Sequence, residues 1–127
     1  MKALHSDLPL ARFFFKDDDI RSNGLPKPGM FKPKKGDALS VFDIEDMDHP
    51  AVCGHGHKHA NNPKTGRIHK GYVSLNYSTY QELDLDGVYD NDPPRHVSIE
   101  FPLADEKRRE IAKAIAGEAD KSRVQKC

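Results

Sequence analysis

The sequence predicts an α+β fold in which a small mixed sheet of short strands carries a C-terminal helix packed on it. Short apolar runs separated by turn residues occupy most of the chain, which is typical of strands. Near the end, by contrast, Ile111, Ala112, Ile115 and Ala119 recur at helical spacing. The 127 residues fit a single domain over 1–127. We expect residues 1–10 and 120–127 to be flexible ends.

The first half of the chain contains two apolar segments separated by a proline-rich one. Arg12 to Phe15 predicts a short buried strand, and Ala38 to Ile44 predicts a second strand. Between them, Leu25 to Lys35 carries three prolines, so we expect an irregular segment attached to the core by Met30 and Phe31.

The segment after the second strand starts with a helix signal. Asp48 precedes Pro50, a combination that favours a helix start. Gly54 and Gly56 follow closely, and we expect them to end this helix early.

The second half predicts alternating short elements. Tyr72–Leu75 is typical of a strand, and Thr79–Glu82 matches a capping box that predicts a short helix. Val88–Tyr89 and Val97–Phe101 predict two further strands. The final helix is expected over Asp105–Ala119, with Asp105 as its N-cap.

The overall composition limits the classes of protein. Twenty basic and twenty acidic residues give zero net charge, which removes the simplest argument for nucleic-acid binding. Hydrophobic residues make up 36%, and no apolar run approaches the roughly 20 residues of a membrane-spanning helix. Asp7 and Pro9 interrupt the start of the chain, so we expect no signal peptide. The two cysteines do not indicate a disulfide scaffold; we expect reduced thiols and a cytoplasmic protein.

Charge is unevenly distributed along the chain. From His49 through Gln81 there is no acidic residue, and this stretch holds five of the seven histidines. Acidic segments flank it on both sides. The pattern indicates either a positively charged binding surface or surface loops that neutralise one another.

The histidines of this central segment predict a candidate metal site. If the segment is extended, His55, His57 and His59 lie on one side, and Cys53 would favour zinc among the divalent transition metals. The spacing matches no zinc signature, so histidines that are simply solvated remain the alternative.

Basic residues in and after the same segment are candidates for anion binding. Lysine and arginine supply charge and donors for a phosphate or an acidic protein partner. The candidate residues are Lys58, Lys64, Arg67, Lys70 and Arg95. Their loop lacks the leading glycine and following helix of a P-loop.

His96 is the candidate catalytic residue. Pro93 and Pro94 make the segment before it rigid, and histidine can donate or accept a proton near neutral pH. No serine lies in a nucleophile motif of the G-x-S-x-G type, so the sequence gives little support for nucleophilic catalysis.

Three short elements resemble a group of small bacterial proteins of uncharacterised function. They are Lys27-Pro28-x-x-Phe31-x-Pro33, Leu39-Ser40-Val41 and Pro94-Arg95-His96-x-x-Ile99. The resemblance extends from Lys27 to the final helix and excludes the histidine-rich segment. It implies a bacterial, soluble, single-domain protein, without implying a mechanism.

These observations lead to two functional hypotheses. The first is a small accessory protein that binds an anionic ligand or acidic partner through the segment from His49 to Lys70. The alternative is a metal-dependent hydrolase or nuclease that uses His55, His57 and His59 as ligands. Direct nucleic-acid binding is less favoured, because the net charge is zero.

Overall fold

The protein, here described by a computed structural model that covers residues 4–33 and 36–127, is built on one six-stranded sheet. The strands follow the spatial order β4-β5-β2-β1-β3-β6, and every pairing is antiparallel. Their bounds are β1 Pro9–Phe14, β2 Ala38–Asp43, β3 Gly71–Asn76, β4 Asp86–Tyr89, β5 His96–Glu100 and β6 Val124–Lys126.

Helices cover both faces of this sheet. Helix α1, His49–His59, packs on one face. Helices α2, Tyr77–Gln81, and α3, Asp105–Glu118, pack on the other, together with the 3₁₀ turn Pro28–Phe31. The predicted α+β class with a C-terminal helix on the sheet is therefore confirmed, whereas the sheet is antiparallel throughout and not mixed as predicted.

Two separate apolar clusters lie on the two faces of the sheet. The α3 face buries a large cluster that includes Ile115, and we call it the major core. The α1 face buries only a small cluster, the minor core, formed by Ala11, Phe13, Phe42, Val52 and Tyr72. Strand alternation explains the division, since successive side chains point to opposite faces. In β2, Leu39 and Val41 face the major core, whereas Phe42 faces the minor core.

Strands β1 and β2 separate soon after they meet. Their only paired positions are Leu10 with Asp43 and Ala11 with Phe42. Beyond that point the side chain of Arg12 bridges the gap, because its guanidinium donates to the Ser40 carbonyl oxygen at 2.9 Å. The sheet therefore has an opening beside Arg12.

Three sequence expectations about helices are wrong. Asp105 is the first residue of α3 and not its N-cap, because Ala104 holds that position. Helix α1 does not end at Gly54 or Gly56 but runs to His59, since packing on the sheet outweighs the low helix propensity of glycine. The capping box at Thr79–Glu82 is also not formed, because α2 already begins at Tyr77.

The C-terminal segment differs most from expectation. Residues 121–123 form a 3₁₀ turn, and β6 then pairs with β3 through Val73 and Val124, where the sequence predicts a flexible end. Cys53 and Cys127 form a disulfide, so the expectation of two reduced thiols is also wrong. The proline-rich segment is irregular as expected, with Met30 and Phe31 buried; its last two residues, 34 and 35, lie outside the described part of the chain.

Candidate functional site

Helix α1 distributes the histidines of the central segment to two sides. Asp48 starts the helix by accepting a hydrogen bond from the Ala51 amide at 2.9 Å, as the sequence predicts. His55 and His59 are one turn apart, and their ring centroids lie 4.4 Å from each other. His57 lies elsewhere, with its ring 4.4 Å from that of His69.

The predicted metal ligands therefore do not come together as one group. A helix places alternate residues on different sides, so His57 is separated from the pair formed by His55 and His59. The remaining predicted ligand, Cys53, is bonded to Cys127.

A cavity of about 230 Å³ opens on the α1 face, beside the gap between β1 and β2. Its aromatic wall belongs to the edge of the minor core, and its polar lining comes from several elements. The lining residues are Arg12, Phe13, Phe15, Ser40, Phe42, His59, Ala60, Arg67, Pro93 and His96. We call it the arginine–histidine pocket.

Three polar side chains at this pocket form a hydrogen-bonded chain. His96 Nδ1 lies 2.6 Å from Asp90 Oδ1, and His96 Nε2 lies 2.9 Å from Ser40 Oγ. Strand pairing produces this arrangement, because Ser40 lies opposite Ser98 and His96 opposite Phe42. We call it the Ser40–His96–Asp90 chain.

Asp90 fixes the orientation of the His96 ring. Burial alone would raise the pKa of Asp90, but hydrogen bonds from His96 and Ser98 lower it below its usual value. The carboxylate is therefore ionised at neutral pH and accepts the Nδ1 proton. In a neutral imidazole this leaves Nε2 as the acceptor for the Ser40 hydroxyl.

Arg12 contributes a cation to the pocket and is not among the predicted anion-binding residues. Its guanidinium also donates to the Met30 carbonyl oxygen at 2.9 Å. Burial lowers its pKa to about 10, with a smaller lowering from Arg67, so it remains protonated at neutral pH. The presence of a charged residue inside an otherwise apolar strand was the signal that could have identified it.

Arg67 reaches the same pocket from the loop after α1. Main-chain hydrogen bonds between Asn62 and Arg67, at 2.7 and 3.0 Å, close this loop. The guanidinium carbon of Arg67 lies 4.1 Å from the centre of the Phe15 ring, a cation–π contact that holds the exposed side chain over the cavity wall.

The other predicted anion-binding residues lie outside the pocket. Arg95 donates to the carbonyl oxygens of Asp43 and Glu45, and Lys70 forms an ion pair with Asp17 at 3.4 Å. Lys58 and Lys64 are exposed and do not line the pocket. The structure thus brings Arg67 together with His96, the candidate catalytic residue.

Comparison with known proteins gives no relatives. No protein-family model matches the chain, and neither a curated protein nor a solved structure is significantly similar to it. Within the described residues, no helix has the length and apolar character that crossing a membrane requires.

Proposed function

We propose that the protein binds a small organic anion in the arginine–histidine pocket. The observation that carries this proposal is that two cations, Arg12 and Arg67, line the same pocket. Guanidinium groups recognise carboxylates and phosphates through paired hydrogen bonds, and His59 and His96 add further nitrogen atoms.

The charge of the pocket fits this ligand class. None of the lining residues in the described part of the chain is acidic. Asp19 acts electrostatically on Arg12, and Asp90 contacts the pocket through His96, so each offsets part of the positive charge. A bound anion would neutralise the rest, and the aromatic wall strengthens this attraction by excluding water.

The volume of the pocket favours a small molecule. At about 30 Å³ per water molecule, a cavity of about 230 Å³ accommodates a phosphate or carboxylate group with a short organic part. The proposal narrows the anionic ligand or acidic protein partner that the sequence indicates to a small-molecule anion.

Two variants that each remove one positive charge from the loop after α1 test the proposal. Isothermal titration with inorganic phosphate, phenyl phosphate and benzoate measures affinity for wild type, Arg67→Gln and Lys64→Gln. We expect Arg67→Gln to weaken binding about tenfold, because a charge-assisted hydrogen bond contributes about 1.5 kcal/mol. Lys64→Gln removes the same charge from the same loop outside the pocket and leaves the affinity unchanged. Equal affinities for wild type and Arg67→Gln, or no binding of any probe, would refute the proposal.

A second function, hydrolysis of an ester of such an anion, is favoured by the Ser40–His96–Asp90 chain. In this scheme Ser40 Oγ attacks the acyl carbon while its proton moves to His96 Nε2. His96 then protonates the departing alcohol, and water releases the acid by the same route in reverse. The metal-dependent form of the hydrolase hypothesis lacks this support, because α1 separates His57 from His55 and His59.

Hydrolysis of phenyl acetate and of a phenyl monoester of succinate tests this second function. We expect Ser40→Ala to lower kcat/KM by about 10³-fold or more, as the loss of a nucleophile does in this type of chain. Ser6→Ala is the control, since it removes a serine hydroxyl that donates to Gln81 at 3.0 Å and does not line the pocket. If Ser40→Ala hydrolyses both esters at the wild-type rate, Ser40 is not a nucleophile.

A further inference from the structure

A second cluster of reactive side chains lies at the start of α1, apart from the arginine–histidine pocket. The cluster consists of His49, Cys53 and Cys127, and one potential metal-binding atom from each lies within 4.8 Å of the others. Within residues 4–33 and 36–127, no other group of three or more histidine, cysteine or acidic residues is this compact. The two sulfur atoms are bonded in the structure, across a sequence separation of 74 residues.

His49 is oriented toward the sulfur atoms by the helix and by a tyrosine. His49 and Cys53 are one helical turn apart, and His49 Nε2 lies 3.6 Å from the Cys53 sulfur. The other ring nitrogen, His49 Nδ1, is 3.9 Å from the same sulfur and lies 2.9 Å from the Tyr72 hydroxyl. A hydrogen bond to the second ring nitrogen is the usual way in which a metal-binding histidine is held in place.

Contacts other than the disulfide hold both cysteines in position. The Cys127 amide donates to the Lys70 carbonyl oxygen at 3.0 Å, which extends the pairing of Gly71 with Lys126. Cys53 follows Val52, which is 1% exposed in the minor core. We therefore expect the two sulfur atoms to stay close to each other when the disulfide is reduced.

We propose that His49, Cys53 and Cys127 form a zinc site when the disulfide is reduced, and that the disulfide prevents zinc binding. Two thiolates and one imidazole are typical zinc ligands, with water in the fourth position. Zn–S bonds of about 2.3 Å and Zn–N bonds of about 2.0 Å require only side-chain adjustment from the observed separations.

A low-molecular-weight thiol and its disulfide supply and remove the electrons for the switch between the two states. Two molecules of a low-molecular-weight thiol reduce the protein disulfide to two thiols and leave as their own disulfide. Zinc then binds the two sulfurs as thiolates, and their two protons pass to the solvent. Oxidation by a disulfide of the same class reverses the sequence and releases the ion.

Zinc competition against a chromophoric chelator tests this inference. The protein is reduced with a trialkylphosphine, which is converted to its oxide with oxygen from water. This reductant adds no small-molecule thiol that would compete with the protein thiols for zinc. We expect one equivalent of zinc on the reduced protein and at least about 100-fold weaker binding on the oxidised protein. His49→Ala removes a direct ligand and weakens zinc binding by about 100-fold or more, at least the loss that follows removal of an outer-shell partner. His57→Ala, on the same helix outside the group, leaves it unchanged.

Cobalt(II) distinguishes this site from adventitious binding by surface histidines. Thiolate ligation gives cobalt a charge-transfer band in the near ultraviolet, which we expect in the reduced wild type and much weaker in Cys127→Ser. Equal zinc affinity in the two redox states, the absence of that band, or a reduced protein that unfolds and does not refold with zinc would overturn the inference. Phosphate binding at Arg67 is measured on the oxidised protein and is therefore independent of all three outcomes.

Discussion

The two faces of the sheet differ in what they bury. The major core, under α3, is a continuous apolar cluster with Ile115 fully buried. The minor core, under α1, is small, and histidines such as His55 and His96 border it through ring contacts to Phe42. Both clusters of chemistry-bearing residues lie on the α1 face. The comparison indicates that the major core supplies stability and the minor core leaves room for binding sites.

A large-to-small substitution in the major core should lower the free energy of unfolding more than any other change considered below. Ile115 is 0% exposed, so Ile115→Ala loses buried area and leaves a cavity, at a cost of about 2–5 kcal/mol in the free energy of unfolding. Urea denaturation measures this, and phosphate titration at low urea should show unchanged affinity. Ile111→Ala, at a partly buried position of the same helix, costs less. A loss of phosphate binding in folded Ile115→Ala would contradict the division between the faces.

The second-largest loss of stability is expected in the minor core, at Gly56. A methyl group on Gly56 would lie 2.5 Å from the Phe13 ring and 2.6 Å from the His69 ring. We expect Gly56→Ala to destabilise the protein by about 1–3 kcal/mol through overpacking. Gly54→Ala, on the same helix with nothing within 4 Å, should stabilise it by up to about 1 kcal/mol. Thermal denaturation compares the two, and equal effects would show that α1 does not pack closely on the sheet.

This glycine pair also shows why the fold was easier to predict than the length of α1. The strand with Val97, Ile99 and Phe101 on one face and the final helix follow from residue spacing alone, and both are found. The continuation of α1 depends instead on Gly56 approaching Phe13, a residue 43 positions earlier in the chain. No local pattern contains that contact.

The candidate site was predictable only in part, for the same reason. His96 was selected because of its own chemistry, and Arg67 because of its charge. Ser40 and Asp90 act through His96, and strand pairing in β2 and β5 brings them together. Arg12 reaches the pocket because β1 and β2 separate beside it and its side chain lies in the opening. Sheet register determines these neighbours, and the sequence did not reveal the register.

Acidification should lower the free energy of unfolding through two histidines on the α1 face, His55 and His69. Burial lowers the pKa of His55 and of His69 below 6.5, with smaller opposing effects of their hydrogen bonds to backbone carbonyls. The unfolded chain therefore takes up protons first, and the free energy of unfolding falls as the pH drops below about 6.5. Asp90, with its pKa lowered from 3.8, stabilises the fold at neutral pH, and this contribution is lost only in a separate, more acidic range.

Urea midpoints at pH 7.5, 6.5 and 5.5 measure this loss of stability. His55→Gln keeps a donor near the Pro94 carbonyl oxygen and removes one titrating group, so its stability should depend less steeply on pH than that of the wild type. His5→Gln is the control, because His5 is an exposed histidine outside α1, with its ring 2.7 Å from the Glu45 carboxylate. Stability that rises on acidification from pH 7.5 to 5.5 would contradict the lowered pKa of the partly buried His55 and the buried His69.

The smallest expected effects concern the helix starts on the two faces. Helix α1 has a side-chain cap from Asp48, whereas α3 begins after Ala104, which provides no such hydrogen bond. Asp48→Ala should destabilise by about 1 kcal/mol. Ala104→Ser should stabilise by about 0.5–1 kcal/mol, since Ala104 already has the extended backbone of an N-cap, with φ −64° and ψ 122°.

Urea denaturation of the single and double variants measures both caps. If the two faces are stabilised independently, the two changes should add to within about 0.5 kcal/mol. Only Asp48→Ala should also weaken zinc binding by the reduced protein, because it loosens the turn that carries His49. An equal loss of zinc affinity in Ala104→Ser would show that α3 influences the α1 face through the sheet, and the separation of roles between the two faces would then fail.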